Sequence, residues 1–201
     1  LPLFLGSIFN NETDSAKKIG KKTESRFSRV LNRYRNLEAY PRMFARFKMR
    51  MDPMFQELAG YLQNSRLILD IGCGIGVPAC WLIESFPEIH VFGLDPAPGR
   101  IRVANRAMGD RGDAIQGKLP DLPSVPETID TVIMLDIVHY LSDEEWKASL
   151  NNLREQLPEL SKVVIRVTIP GKGRTPWWRW IEVQRIRGTR QRCYFTSIEA
   201  L

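Results

Sequence analysis

The sequence has few of the residues that build metal sites and disulfide frameworks. Its 201 residues include three cysteines, none of them in a Cys-x-x-Cys pair, and two histidines that lie far apart. This scarcity argues against a zinc site or a disulfide framework and favours a reducing compartment, so the predicted location is the cytoplasm. The sequence also lacks an apolar run close to the roughly 20 residues of a membrane span, and it contains no internal repeat.

Basic residues outnumber acidic ones, with a net charge of +6, and many of them precede residue 51. Apolar residues in this segment recur at helical spacing, which predicts an amphipathic helix that ends at Pro41 and a second helical segment from Met43 to Met51. We expect these helices to cap the main domain with their charges facing water. The alternative is a surface that binds nucleic acid or an anionic membrane. The basic residues are Lys17, Lys18, Lys21, Lys22, Arg26, Arg29, Arg33, Arg35, Arg42, Arg46, Lys48 and Arg50.

The first nine residues, LPLFLGSIF, are apolar, and four lysines follow them between positions 17 and 22. One interpretation is that the chain follows a membrane helix in a longer protein, with the basic segment on the cytoplasmic side of the membrane. The other is an apolar arm that packs on the domain. In both cases residues 1–51 are predicted to form an arm and a basic helical cap, and residues 52–201 the main domain.

Helix and strand patterns alternate from Asp52 onward. This alternation predicts an α/β fold in which a doubly wound, mostly parallel sheet lies between two helical layers. The run DTVIMLDI suits a buried central strand, and Ser142 with Glu145 forms a capping box for the next helix. Predicted strands cover residues 67–71, 89–94, 114–116, 130–137 and 162–169, and predicted helices cover 54–62, 77–86, 98–108 and a segment that ends before Pro158.

A glycine-rich turn follows the first predicted strand, in the stretch RLILDIGCGIGVPACW. Glycine has no Cβ atom, so Gly72 and Gly74 allow a ligand to approach the main chain. The residues 74–79 match the GxGxxA pattern of dinucleotide-binding folds. In register with the strand, however, the first glycine is Gly72, and the third small residue is then missing. Asp70 at the strand end would repel a pyrophosphate, whereas it suits a cationic ligand.

Three motifs carry a resemblance to a known family. The segment LDIGCGIG resembles motif I of the class I S-adenosylmethionine-dependent methyltransferases, VFGLDPAP resembles their second motif, and DTVIMLDIVHYL resembles their fourth. The resemblance covers residues 52–201 and implies a Rossmann-like fold with S-adenosylmethionine as cofactor. It implies that Asp70 orients the methionine ammonium group and that Asp95 accepts hydrogen bonds from both ribose hydroxyls. The other implied cofactor-binding residues are Gly72, Cys73, Gly74, Pro96, Leu135 and Asp136.

The adenine site departs from the family pattern. In the family a Gly-Asp-Ala after the third strand commonly supplies the acid that binds the adenine amino group, and residues 112–114 match it. They follow Asp95 too closely to leave room for a strand, so we expect Asp113 to begin the third strand instead. The family spacing then places Lys118 and Leu119 beside the adenine, which their backbone groups would hold.

The end of the chain departs as well. CYFTSIEAL resembles the segment that precedes the last two strands of the seven-stranded family sheet. Those two strands are therefore predicted to be missing, and the domain at residues 52–201 to be incomplete at its C-terminal side.

Methyl transfer by direct displacement requires alignment of the acceptor and no metal, so no metal site is predicted. His139 follows the fourth strand, at the sheet edge where ligands bind in this architecture, and it is the candidate general base, with Tyr140 beside it. The alternative is a structural His139 that is hydrogen-bonded to the backbone. Three tryptophans are predicted either to wall an aromatic acceptor or to pack in the core: Trp177, Trp178 and Trp180.

The predicted activity is methylation of a small molecule, on an oxygen of an aromatic or lipid-like metabolite. One alternative is an RNA methyltransferase that uses the basic segment, although LDIVHY lacks the Asn/Asp-Pro-Pro-aromatic motif common among RNA base methylases. Another is a non-catalytic S-adenosylmethionine-binding domain that serves an attached membrane exporter. FARFKMRMDPMF, followed by motif I and then LDIVHYL, also resembles methyltransferases associated with exporter-type membrane proteins in bacterial aryl polyene lipid clusters. A nicotinamide-dependent dehydrogenase is the remaining alternative, and the oligomeric state stays open.

Overall fold

Five parallel strands form one sheet in the order β3-β2-β1-β4-β5 in a computed structural model that describes residues 26–167. The strands are β1 (Leu67–Ile71), β2 (His90–Asp95), β3 (Gly112–Gln116), β4 (Thr131–Leu135) and β5 (Lys162–Arg166). The helices are α1 (described at 26–33), α2 (Ala39–Met51), α3 (Met54–Tyr61), α4 (Val77–Ser85), α5 (Pro98–Met108) and α6 (Asp143–Gln156), and short 3₁₀ helices cover Gly109–Arg111 and Val138–Tyr140.

The two faces of the sheet are covered by different helices. Successive side chains of a strand point to opposite faces, and in β1 Ile68 packs with residues of the first five helices whereas Leu69 packs with Leu153 of α6. Strand β4 alternates in the same way. The predicted three-layer, doubly wound α/β fold is therefore confirmed within the described residues.

The third strand begins earlier than predicted. The sequence pattern placed it at residues 114–116, but Gly112 already pairs with Val91 and Asp113 with Phe92. Asp113 is thus the second residue of β3, in agreement with the expectation that it lies in the strand and not in the loop that follows. With this register Asp113 is not in the loop after β3, which is the loop expected to contact the adenine.

The N-terminal helices differ from the prediction at Pro41. The chain was expected to break there, yet α1 is followed by a turn and α2 begins at Ala39. Pro41 lies in the first turn of α2, where backbone N–H groups have no intrahelical partner and proline costs little. Both predicted helices exist, but the break between them lies a few residues earlier.

The N-terminal helices share a core with the sheet. Val30, Tyr34, Ala45 and Met49 are buried in the same cluster as Ile68. Their approach is also fixed by charge, because the Arg33 guanidinium donates to Glu84 and to the carbonyls of Ala107 and Met108 at the end of α5. The division of the chain at residue 51 coincides with the end of α2 and remains a prediction.

Several expectations lie outside the described residues. They concern the apolar arm at residues 1–9, the three tryptophans at 177, 178 and 180, and the two strands predicted to be missing. Among residues 26–167, no helix is long and apolar enough to cross a membrane.

Replacing Arg33 tests whether this one side chain docks the N-terminal helices. Arg33→Met leaves Glu84 and two helix-end carbonyls with fewer donors, so we expect the free energy of unfolding to fall by about 1–3 kcal/mol. The control Arg35→Met removes an exposed guanidinium with no hydrogen-bond or ion-pair partner in the described part of the chain, and should change it by less than about 0.5 kcal/mol. Urea denaturation measures both, and equal losses would contradict the assignment.

Candidate functional site

The glycine-rich turn lies where the loops after β1 and β4 meet. Gly72, Gly74 and Gly76 all have positive φ, at 80°, 58° and 79°. A Cβ atom on Gly72 would lie 2.3 Å from the side chain of Ile137, which follows β4. A Cβ atom on Gly74 would meet nothing within 4 Å. The turn is therefore packed closely at Gly72 and open at Gly74.

The main chain of the turn is tied to the end of β2. The amides of Gly72 and Cys73 both donate to the Leu94 carbonyl, at 2.7 and 3.0 Å. The Cys73 side chain is buried against Gly93, where a Cβ atom would lie 2.8 Å from the sulfur. Burial, followed by the nearby Asp70 and Asp95 carboxylates, raises the pKa of the Cys73 thiol, so this cysteine is a packing residue and not a nucleophile.

Asp95 is buried but well supplied with donors. Its Oδ2 accepts a hydrogen bond of 3.1 Å from the Gly74 amide, and its Oδ1 accepts one of 2.9 Å from the Ala97 amide. The Arg100 guanidinium lies 3.5 Å from Oδ2. A carboxylate oxygen can accept two hydrogen bonds, so Oδ1 retains capacity for a further donor.

Asp70 has the opposite environment. Its side chain is 1% exposed, and Oδ2 has no hydrogen-bond partner among the described residues. Burial, and after it the charge of Asp95, raises the pKa of Asp70 to about 7. A buried carboxyl group without a donor is costly when ionised, so this group is suited to a cationic partner from outside the chain.

The loop after β3 runs beside Asp95. The Gly117 amide donates to the Asp95 carbonyl at 3.2 Å, which brings Lys118 and Leu119 next to the end of β2. The Lys118 side chain is exposed and that of Leu119 is buried in the core. Pro96 is exposed beside them. Asp113 instead lies 3.1 Å from His90, the first residue of β2. This contact is at the amino edge of the sheet, opposite the carboxyl edge where Asp95 lies.

The end of β4 is held by a charge network. Asp136 has a φ of 60°, and its amide donates to the Arg166 carbonyl. The Arg166 guanidinium lies 3.2 Å from Asp136 and 2.7 Å from Asp52, and Asp52 is also 3.0 Å from Lys48 of α2. Burial opposes ionisation of Asp52, but the Arg166 hydrogen bond and Lys48 outweigh it and lower its pKa.

His139 and Tyr140 lie on the 3₁₀ helix after β4. The His139 ring is buried, and its centroid is 4.2 Å from that of Tyr140. Leu135, the last residue of β4, is partly buried just before them. The predicted residues at the ends of β1, β2 and β4 and in the loop after β3 thus all follow the carboxyl edge of one parallel sheet, where α/β folds bind their ligands.

Two site residues were missed by the sequence reasoning. The Tyr34 hydroxyl donates to the Ile75 carbonyl of the glycine-rich turn at 2.9 Å, from a fully buried position. A tyrosine at an otherwise apolar helix position was the available signal, because a buried hydroxyl needs a partner. For Arg166, the signal was a charge inside the apolar run KVVIRVTI.

Comparisons with known proteins agree on one family. Residues 68–159 match a family model described as a methyltransferase domain. An uncharacterized methyltransferase of Geobacillus sp. (strain WCH70) is 27% identical over 67% of this chain and 65% of its own length. A ubiquinone biosynthesis O-methyltransferase of Methylobacterium sp. (strain 4-46) is 34% identical over 57% of this chain and 45% of its own length.

The fold is matched as well. The solved structure of the pyocyanin biosynthetic protein PhzM superimposes with a TM-score of 0.60 at 21% identity, over 83% of this chain and 51% of that one. The chain spans less than two thirds of each of these three proteins. The comparisons support the methyltransferase interpretation and not the dinucleotide-binding one.

The raised pKa of Asp70 predicts how stability depends on pH. The folded-state value of about 7 exceeds an unfolded value near 3.9, so the folded protein keeps the proton between them and stability falls as pH rises from about 4 to about 7. The full effect is on the order of 4 kcal/mol. Asp70→Asn cannot ionise, so it should flatten this part of the profile and stabilise the ligand-free protein at pH 8.

Thermal unfolding at a series of pH values measures the effect. Asp121→Asn is the matched control, because Asp121 is exposed and should leave the profile unchanged. A wild-type profile that rises with pH across this interval, or one that Asp70→Asn leaves unaltered, would contradict the assigned environment.

Proposed function

Residues 68–159 belong to the methyltransferase domain family, whose cofactor is S-adenosylmethionine, and on that premise we propose that this chain methylates a small-molecule acceptor on an oxygen. The acceptor is an aromatic or lipid-like metabolite. The observation that carries the cofactor part of the proposal is the buried Asp70 carboxyl group, which lies beside an open glycine turn and lacks a donor to Oδ2 among the described residues.

The residues present fit this cofactor. S-adenosylmethionine carries a sulfonium and an ammonium group but no phosphate. The Asp70 carboxyl group, whose Oδ2 has no donor among the described residues, can supply the negative charge that pairs with such a cation. Gly74 leaves open space where a ligand would pass over the main chain. A pyrophosphate would meet two buried carboxyl groups, Asp70 and Asp95, at the same place.

Each predicted residue has a role in this proposal. Asp70 orients the ammonium group, and Asp95 accepts hydrogen bonds from the ribose hydroxyls. The backbone of Lys118 and Leu119 faces the adenine, whose amino group has no acid to meet there. The turn residues and the end of β4 complete the site: Gly72, Cys73, Gly74, Pro96, Leu135 and Asp136.

S-adenosylmethionine supplies an activated methyl group on sulfur, which an acceptor takes by direct displacement. The chain's contribution is alignment of the acceptor and exclusion of water, which can together account for on the order of 7–11 kcal/mol of the barrier. His139, on the 3₁₀ helix after β4, takes the proton from the acceptor hydroxyl, and Tyr140 packs against its ring.

The choice of an oxygen acceptor is supported by one relative. The Methylobacterium protein, 34% identical over 57% of this chain, is named as an O-methyltransferase of ubiquinone biosynthesis. The RNA alternative is weakened, because Arg29 and Arg33 pair with Glu84 and Lys48 pairs with Asp52. A non-catalytic domain attached to an exporter would bind the cofactor without turnover, which separates it from this proposal.

Cofactor binding can be tested with a matched pair of aspartates. Asp95→Ala removes the ribose acceptor and should weaken S-adenosylhomocysteine binding roughly 10- to 100-fold in calorimetry, the value of hydrogen bonds to a charged group. Asp113→Ala removes the exposed carboxylate that contacts His90 and should leave affinity unchanged. A large loss in Asp113→Ala would instead restore the Gly112-Asp113-Ala114 adenine site and overturn the register used here.

The role of His139 is tested by turnover against a panel of aromatic hydroxyl acceptors. His139→Ala should lower kcat by about 10²- to 10⁴-fold, the usual contribution of general base catalysis, with little change in S-adenosylhomocysteine affinity. His90→Ala is the control, since it replaces the other histidine of the chain at the far edge of the sheet. Full turnover in His139→Ala would assign it a structural role.

A further inference from the structure

A basic groove lies between α1 and α2, and none of the residues assigned above lines it. It has a volume of about 500 Å³ and is lined by Leu31, Asn32, Arg35, Ala39, Arg42, Met43 and Arg46. Three of these seven residues are arginines and none is acidic. We propose that this groove and the adjoining face of α2 dock the protein on an anionic phospholipid membrane, independently of methyl transfer.

The arginines of the groove have no acidic partner in the part of the chain that the structure describes. Arg29, Arg33 and Lys48 pair with acids, and Arg26 lies over the Trp81 ring at 5.2 Å. By contrast, the three groove arginines, Arg35, Arg42 and Arg46, form no ion pair within residues 26–167. The acid nearest in sequence, Glu38, lies 3.6 Å from Arg106. The groove therefore offers positive charge that no acid among the described residues neutralises.

Apolar side chains emerge beside these arginines. Met43 is 65% exposed and Tyr40 is 61% exposed, although methionine is usually buried in folded proteins and tyrosine is usually at least partly buried. They lie three residues apart on α2, so they are on the same side of the helix, and Arg42 and Arg46 are one turn apart beside them. The helix contains no acidic residue.

This combination favours a membrane over RNA. An interfacial helix places basic residues at the phosphate level and inserts aromatic and aliphatic side chains among the acyl chains. RNA binding needs a longer basic track with planar groups that stack on bases. The groove is short, and the thioether of Met43 beside Tyr40 is suited to insertion and not to base stacking.

The test is co-sedimentation of the full chain with vesicles. Binding should be strong with phosphatidylcholine mixed with phosphatidylglycerol, and weak with phosphatidylcholine alone. Each basic residue near such a surface is worth about fivefold in partitioning, so Arg42→Glu with Arg46→Glu should weaken binding by at least about 30-fold. Tyr40→Ser with Met43→Ser should also weaken it while leaving the charge intact.

A matched control separates the groove from net charge. Arg102→Glu with Arg154→Glu changes the charge equally on exposed parts of α5 and α6 and should keep vesicle binding. Unchanged S-adenosylhomocysteine affinity in all variants would show that the domain is folded, and would keep this test separate from that of the enzyme activity. The proposal is overturned if the two arginine pairs lose vesicle binding equally, or if the protein shows no preference for the anionic vesicles. It is also overturned if vesicles stay unbound while the protein binds RNA and Arg42→Glu with Arg46→Glu abolishes that binding.

Discussion

Two buried carboxyl groups on neighbouring strands are the constraint around which this domain is built. Asp70 is the residue before the last of β1 and Asp95 is the last of β2, and both are almost fully covered. The main chain satisfies Asp95 through the Gly74 and Ala97 amides and leaves Asp70 with no donor to Oδ2 among the described residues. Like charges in a low-dielectric site oppose each other's ionisation. The repulsion is relieved when one of the two groups is protonated or when a cation binds between them.

The N-terminal helices stabilise that arrangement from outside the sheet. Tyr34 holds the Ile75 carbonyl of the turn, and Lys48 with Asp52 reaches the end of β4 through Arg166. These contacts connect the N-terminal helices to the glycine-rich turn and to the end of β4. Residues 26–52 therefore pack as part of the folded core, and among them the outward-facing arginines of the groove remain for another purpose.

Much of this was readable from the sequence because it is local. Strand β1 was predicted with its observed bounds, the glycine turn follows from residue spacing, and the capping box of α6 is present. The contacts that were missed join distant parts of the chain. Tyr34 and Ile75 are 41 residues apart, and Asp52 and Arg166 are 114 apart. Periodicity marks which residues are buried, but it does not say which distant group each one meets.

Asp70 is partly protonated near pH 7 in the ligand-free protein and pairs with the cationic group of a bound ligand. Calorimetry of S-adenosylhomocysteine binding at pH 7, repeated in buffers of different ionisation enthalpy, counts the protons exchanged. A carboxyl group with a pKa of about 7 that gives up its proton to the buffer when an ammonium group binds beside it predicts release of on the order of half a proton. Methylthioadenosine, which has no ammonium group, should release none. Equal proton exchange for the two ligands, or none for S-adenosylhomocysteine, would contradict the account.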